Sequence, residues 1–269
     1  MSLPSPVPTR TALVTGASAG IGVELARELA ARGHGLTLVA RREDRLRELA
    51  DDLGARHGVR VEVVPTDLAD LEDRRALIEA VAERGLEIDV LVNNAGFSTM
   101  GAVAASDPDR EVAMVRTDVE AVVHLCSLVV PGMVDRHCGA VLNVASTASF
   151  QPLPGQAGYG GSKAFVLSYT QAMSVELRRT GVTATALCPG PVETEFAEAA
   201  GIDVKEAGAA LPDIMWVSAA EVAAAGIDGL DAGRPVVIPG VANRAVAGVA
   251  KVIPRRLLLP ILAKRHPAL

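Results

Sequence analysis

The sequence is short of aromatic residues and cysteines, and each shortage excludes a class of protein. Only 3% of the 269 residues are aromatic, and Trp216 is the single tryptophan, so a base-stacking platform for single-stranded nucleic acid is poorly supplied. The net charge of −6 also argues against a nucleic-acid-binding face. Cys126, Cys138 and Cys188 form no C-x-x-C motif and have no histidine at ligand spacing, which predicts neither a disulfide framework nor a metal site.

The chain also lacks the pattern of a signal peptide and a clean apolar run. Residues 1–10 contain three prolines and no apolar core. Charged residues interrupt the most apolar stretches, at 119–134 and 245–263, so no membrane-spanning helix is predicted. With 49% hydrophobic and 22% charged residues, the composition is that of a globular domain, and we expect a reducing, cytoplasmic location.

Short β-branched runs alternate with longer amphipathic segments, which is typical of an α/β protein. Helices are predicted at 20–31, 43–56, 70–84 and 162–178. Strands are predicted at 11–15, 35–40, 59–65, 88–93, 140–145, 182–188 and 235–238. Repeated strand, helix and strand units predict a doubly wound, Rossmann-type parallel sheet of about seven strands with helices on both faces. We expect a flexible extension over 1–10, one catalytic domain over 11–240 with a mobile flap at 189–216, and a basic apolar extension over 241–269.

A glycine-rich turn follows the first predicted strand and opens the first helix. Gly16, Gly20 and Gly22 have the spacing G-x-x-x-G-x-G, and Ser18 and Ile21 lie between them. Glycines let the backbone approach a pyrophosphate, and the free N–H groups of a helix N-terminus favour its charge. The simpler alternative is a tight strand-to-helix connection.

Two arginines follow the second predicted strand, where a dinucleotide-binding fold meets the adenosine ribose. Arg41 lies 19 residues after Gly22, and Arg42 is next to it. Their guanidinium groups suit a 2′-phosphate, whereas a carboxylate there would suit a 2′-hydroxyl. NADP(H) is therefore favoured over NAD(H). The alternative, two surface arginines at a helix start, runs against the helix dipole.

A phenol and an ammonium group lie one helical turn apart in Tyr159-Gly160-Gly161-Ser162-Lys163, so both face one side of a helix. A neighbouring cation stabilises a phenolate and lowers its pKa, which allows acid-base chemistry closer to neutral pH. Ser146 ends the fifth predicted strand, at the edge where open α/β sheets bind ligands. Its hydroxyl could orient a carbonyl oxygen.

Together these motifs resemble the short-chain dehydrogenase/reductase family, in its single-domain form of roughly 250 residues. The resemblance runs from Thr11 to about Gly240, and the 13 residues from Ser146 to Tyr159 match the family's spacing, which selects Ser146 over Ser149. It implies that Tyr159 donates a proton during carbonyl reduction, Ser146 orients the oxygen, and Lys163 holds the nicotinamide ribose and lowers the pKa of Tyr159.

The resemblance also implies further cofactor contacts, a small carbonyl or alcohol substrate, and a homodimer or homotetramer. Taken alone, Asp67 could be a helix N-cap and Asn93 a strand-end turn. The implied cofactor contacts are those of Asp67 and Leu68 with the adenine, of Asn93, Ala95 and Gly96 with the adenosine ribose, and of Pro189, Gly190, Val192 and Thr194 with the nicotinamide end.

Asp118 departs from the family pattern, which usually has asparagine here, with a main-chain contact to a proton-relaying water. A carboxylate near Lys163 favours its ammonium form and could weaken its effect on Tyr159. The first hypothesis is therefore a working reductase, and the alternative is a catalytically weak dinucleotide-binding regulator or scaffold. A methyltransferase with another glycine-rich turn does not explain Ser146, Tyr159 and Lys163 together.

For the substrate pocket and for the C-terminal segment, the sequence offers only the types of residue present. Apolar side chains in the predicted loops indicate only an apolar pocket: Phe97, Met100, Phe150, Leu153, Phe196, Met215 and Trp216. Residues 241–269 carry six basic and no acidic side chains. Packing of this segment on the acidic body is favoured over contact with an anionic membrane surface, since three prolines interrupt any long surface helix.

Overall fold

The computed structural model describes residues 3–196 and 212–263, and its centre is one parallel β-sheet. The strand order is β3-β2-β1-β4-β5-β6-β7. The strands are β1 (Arg10–Thr15), β2 (Leu36–Ala40), β3 (Val61–Pro65), β4 (Glu87–Asn93), β5 (Gly139–Val144), β6 (Val182–Leu187) and β7 (Val236–Val237). All seven predicted strands and the doubly wound arrangement are confirmed.

Helices cover both faces of the sheet. A π-helical turn, Arg116–Glu120, joins α4 to α5, and a 3₁₀ turn, Thr147–Phe150, follows β5. The helices are α1 (Gly20–Ala31), α2 (Glu43–His57), α3 (Leu71–Glu83), α4 (Pro108–Val115), α5 (Ala121–Asp135), α6 (Ala157–Glu176), α7 (Ala219–Asp231), α8 (Val241–Val252) and α9 (Arg255–Ala263). Helix α6 begins before the predicted start at 162, because Gly160 and Gly161 weaken the local helical signal while Gly160 packs closely on Leu153.

Alternation along the strands divides the core into two layers. Leu13, Leu91 and Val141 face α3, α5 and α6, whereas Val14 and Leu142 face α1, α2 and α7. Every one of these five side chains is fully buried. Burial on both faces explains why the strands are continuous apolar runs in the sequence.

The continuous helical segment Pro108–Asp135 is 28 residues long, and by length and composition alone it could cross a membrane. Its Met114, Leu125 and Met133 side chains are fully buried inside the protein. Leu125 and Met133 belong to the layer that covers one face of the sheet. One face of this helix therefore packs on the protein core.

Both ends of the described chain pack on the body. The backbone N–H of Leu3 donates a hydrogen bond to Asp231 Oδ1 at 2.7 Å and Pro4 is buried, whereas residues 5–9 are exposed. The flexible N-terminal extension stays a prediction. Helix α8 buries Asn243, Ala247 and Ala250. Packing of the C-terminal segment is thus seen in α8, and membrane contact stays a prediction. Residues 197–211 of the predicted flap and 264–269 of the C-terminal extension lie outside the described residues.

Asp89 is a buried carboxylate at an irregularity between β1 and β4. The register shifts between Thr11, which pairs with Ile88, and Ala12, which pairs with Val90, so Asp89 is an extra residue in its strand. The residue is 1% exposed, and among the described residues neither carboxylate oxygen has a hydrogen-bond partner. Burial raises the pKa of Asp89 to about 6, against the opposing effect of nearby arginines.

Asp89→Asn should remove a pH dependence of the free energy of unfolding. A carboxyl whose pKa is raised on folding stabilises the protein below its unfolded pKa, and that contribution is lost as the pH rises through about 6. Urea unfolding between pH 4 and pH 7 measures this. The stability of the variant relative to the parent should rise by roughly 2–3 kcal/mol over that interval. Parallel pH profiles for the two proteins would contradict the assignment.

Candidate active site

The glycine-rich turn connects β1 to α1 at the carboxyl edge of the sheet. Gly16 and Gly20 have φ angles of +67° and +56°, in the left-handed region that favours glycine. A Cβ on Gly22 would lie 2.2 Å from the carbonyl oxygen of Gly16, so only glycine fits there. Ala19, at the N-cap, has only a methyl side chain and leaves the first N–H groups of α1 available to an anion.

The loop after β4 is hydrogen-bonded to the end of β1. The N–H groups of Asn94 and Ala95 donate to Thr15 Oγ1 at 2.9 and 3.0 Å. The strand order reverses between these two strands, and open α/β sheets bind ligands at such a point. Asn93 differs from its neighbours, because its side chain is buried and donates to Asn143 Oδ1 at 2.9 Å. Any contact of Asn93 with a cofactor would therefore be through its backbone.

Arg42 lies against the glycine-rich turn, while Arg41 is exposed beside it. Nε and Nη2 of Arg42 donate to Ser18 Oγ at 3.2 and 3.1 Å. The N-cap of α3 is Asp70 and not Asp67. The Oδ1 atom of Asp67 instead accepts a hydrogen bond from the Ala69 N–H at 3.0 Å. The adjacent Leu68 is buried.

Ser146, Tyr159 and Lys163 are brought together by β5 and α6. Ser146 interacts with the Tyr159 side chain and lowers its pKa, and Lys163 Nζ lies 5.7 Å from the centre of the Tyr159 ring. Ser149 has a different role, because its hydroxyl donates to the backbone oxygen of Lys163 at 2.8 Å. The assignment of Ser146 as the serine that orients the substrate stays a prediction.

Asp118 contacts Lys163 directly from the π-helical turn. Its Oδ2 atom lies 3.0 Å from Lys163 Nζ, and its Oδ1 accepts from Phe97 N–H at 3.0 Å. Lys163 Nζ also donates to the backbone oxygen of Val144 at 3.2 Å. A Cβ on Gly96 would lie 2.9 Å from both carboxylate oxygens, so the loop after β4 fits closely around Asp118.

These contacts change the acid-base properties of the site. Burial by itself lowers the pKa of Lys163, but the charges of Asp118 and Tyr159 outweigh it, and the net pKa is raised. Burial raises the pKa of Tyr159, and Asp118 adds to this, while Lys163 and Ser146 lower it. The net pKa of Tyr159 is above its ordinary value, so the expected lowering by Lys163 is present but is exceeded by burial.

Residues 189–196 contact both the glycine-rich turn and Tyr159. Thr194 packs on Gly20, and the centres of the Phe196 and Tyr159 rings are 5.7 Å apart. Val192 packs against the core layer that contains α1. Phe150, by contrast, is buried with Lys251 over its ring, so it does not belong with the open apolar side chains of a pocket.

Sequence reasoning missed Asn243, which supports this segment from α8. Its Nδ2 donates to the backbone oxygens of Met215 and Pro239 at 3.0 and 3.1 Å. A Cβ on Gly190 would lie 2.4 Å from Asn243, so Pro189-Gly190 is closely seated on this side chain. The sequence pattern that could have revealed it is a single polar residue, Asn243, at helical spacing with Ala247 and Ala250 on the buried face of α8.

Comparisons of the sequence and of the structure with known proteins point to the same family. The family model for short chain dehydrogenase matches residues 10–205. A putative ketoacyl reductase of Streptomyces coelicolor is 39% identical over 191 residues, which cover 70% of this chain and 73% of that protein.

Two solved structures extend the comparison to nearly the whole chain. A short-chain dehydrogenase from Sphingobium yanoikuyae in complex with NADPH has a TM-score of 0.80 and 34% identity, covering 93% of this chain and 95% of the other. A 3-ketoacyl-(acyl-carrier-protein) reductase from Brucella melitensis complexed with NADH has a TM-score of 0.76 and 26% identity, covering 86% and 96%.

Asp118→Asn should lower the pH at which Tyr159 forms its phenolate, because the variant removes a negative charge that raises the pKa of Tyr159. Ultraviolet difference absorbance can follow this, since the chain has only two tyrosines. The other, Tyr169, has its pKa raised to about 12. Tyr159→Phe in both backgrounds identifies the signal. An unchanged or higher phenolate pKa would contradict the electrostatic role of Asp118.

Proposed function

Because the chain belongs to the short-chain dehydrogenase family of oxidoreductases, we propose that it is an NADP(H)-dependent enzyme that interconverts a carbonyl and an alcohol. The observation that carries this proposal is the meeting of two groups of residues at one edge of the sheet. Ser146, Tyr159 and Lys163 form a polar cluster, and the turn from Gly16 to Gly22 lies at the same edge of the sheet. This arrangement would supply an anion-binding cofactor site and a proton donor together.

The residues of the turn fit a dinucleotide. The lack of room for a Cβ at Gly22 and the available N–H groups of α1 suit a pyrophosphate, and Arg42 beside Ser18 suits a 2′-phosphate. Lys163 would hold the nicotinamide ribose, with Thr194 at the nicotinamide end. When bound, NADP(H) supplies or accepts the hydride. The NADPH complex of the Sphingobium relative supports this cofactor, although the Brucella relative is complexed with NADH.

The residues of the cluster divide the proton chemistry among them. Ser146 orients the carbonyl oxygen, and the Tyr159 hydroxyl donates its proton to that oxygen as the alcohol forms. Lys163, held as an ammonium by Asp118, stabilises the phenolate that remains. In the direction of oxidation the phenolate accepts the same proton.

The substrate that we propose is an apolar ketone or the corresponding alcohol. Tyr159 is bordered by the Phe196 ring, and Leu153 packs on Gly160, the residue after Tyr159. Steroids, fatty acyl chains and other bulky ketones share this chemistry, and the Streptomyces relative is named a putative ketoacyl reductase. The cytoplasmic location and the homodimer or homotetramer stay predictions.

A second candidate is a weakly catalytic dinucleotide-binding regulator. The ion pair between Asp118 and Lys163 favours it, because that carboxylate opposes the effect of the ammonium on the Tyr159 pKa. NADPH oxidation with a panel of ketones separates the candidates, since a regulator binds cofactor without turnover. Asp118→Asn should then leave the turnover of an enzyme unchanged or raise it, with an altered pH–rate profile.

NADPH should bind roughly tenfold more tightly than NADH, and Arg41→Asp should reverse this preference, because a carboxylate repels the 2′-phosphate and accepts from the 2′-hydroxyl. Fluorescence titration of both cofactors measures the dissociation constants. Arg47→Asp is the matched control, since it makes the same charge change in an exposed part of α2. Equal dissociation constants for NADPH and NADH in the parent would contradict the cofactor proposal.

Tyr159→Phe should lower turnover at least about 100-fold and leave NADPH binding within about twofold, because only the ionisable hydroxyl is lost. Lys163→Ala should weaken both, since Lys163 would contact the ribose as well. Steady-state rates and cofactor titration on the same preparations give the comparison. If the phenylalanine variant kept the parent's turnover, Tyr159 would not be the proton donor.

A further inference from the structure

Glu195 forms ion pairs with two arginines beside the glycine-rich turn. Its Oε2 atom lies 2.8 Å from Arg42 Nη1, and its Oε1 atom lies 3.9 Å from Arg45 Nη1. The same Arg42 guanidinium donates to Ser18. The carboxylate therefore links residues 189–196 to the start of α2, across the position proposed for the adenosine phosphates.

The surroundings of Glu195 place it in the cofactor groove. It shares a surface pocket with Ser18, Gly20 and Arg45, and its neighbour Thr194 packs on Gly20. Two other carboxylates line the pocket: Glu24, which pairs with Arg27, and Glu193, which has no ion pair among residues 3–196 and 212–263. Glu195 is thus the carboxylate of this pocket that contacts Arg42.

We infer that Glu195 is a specificity-determining residue for the cofactor, which holds Arg42 and Arg45 until the 2′-phosphate of NADP(H) replaces it. This inference rests on the proposed function. A phosphate can displace the carboxylate because it offers more charge and more acceptor oxygens to the guanidinium. A 2′-hydroxyl carries no charge, so NAD(H) binds with the ion pair intact. Glu195 therefore makes the preference for NADP(H) smaller than free arginines would make it.

Glu195→Gln should tighten NADPH binding about two- to fivefold and change NADH binding by less than twofold. The size follows from the modest strength of exposed ion pairs, and low ionic strength keeps it measurable. Fluorescence titration of the full chain with each cofactor gives the dissociation constants. Glu193→Gln is the matched control, because it makes the same charge change two residues away in the same pocket and should move neither constant by twofold.

A double-mutant cycle tests whether Glu195 acts on NADPH binding through Arg42. In an Arg42→Gln background, Glu195→Gln should have less than half of its effect on NADPH, since the ion pair is already lost. Equal effects on NADPH and NADH, equal effects of Glu195→Gln and Glu193→Gln, or weaker NADPH binding by Glu195→Gln would overturn the inference. Each of these outcomes leaves the proposed cofactor in place, whereas failure of the parent to bind NADPH would refute the proposed function itself.

Discussion

The buried contact between Asp118 and Lys163 is the constraint on which the geometry of the site depends. It connects the π-helical turn, the loop after β4 through Phe97, and α6, three parts of the chain that are far apart in sequence. Both charged groups are buried, and each is the other's ion-pair partner, so the contact joins these three parts of the chain inside the protein. π-helical turns inside α-helices are rare and often lie at functional sites, and Asp118 is the buried residue of this one.

The parallel sheet determines which residues can meet this pair. Every strand ends at the same edge, so Thr15 at the end of β1, Ser146 after β5 and residues 189–196 after β6 all lie at that edge. The reversal of strand order between β1 and β4 opens the crevice there. Asn243 of α8 packs against Gly190 and donates a hydrogen bond to the backbone oxygen of Met215. Helix α8 therefore contributes to the structure around the site.

The two ends of the groove differ in their electrostatics. At the catalytic end, the charges of Asp118 and Lys163 are buried and weakly screened, so they act strongly on the pKa of Tyr159. At the other end, Arg42 and Glu195 are exposed, and their ion pair is weak enough for a ligand phosphate to exchange with it. The buried Asp118–Lys163 pair keeps the catalytic side chains in place, which suits acid-base chemistry. The exposed Arg42–Glu195 pair can open, which suits reversible binding of a cofactor phosphate.

The sequence by itself determined the strands, the glycine-rich turn and the one-turn spacing of Tyr159 and Lys163. Each of these is a local pattern, set by burial on two faces, by backbone freedom or by helical periodicity. The family resemblance implied that Asp118 lies near Lys163, but only the tertiary structure decided their direct ion pair and the contacts of Glu195 with Arg42 and of Asn243 with Gly190. It also decided that burial raises the pKa values of Tyr159 and Asp89, because periodicity identifies a buried face but does not identify the partners packed against it.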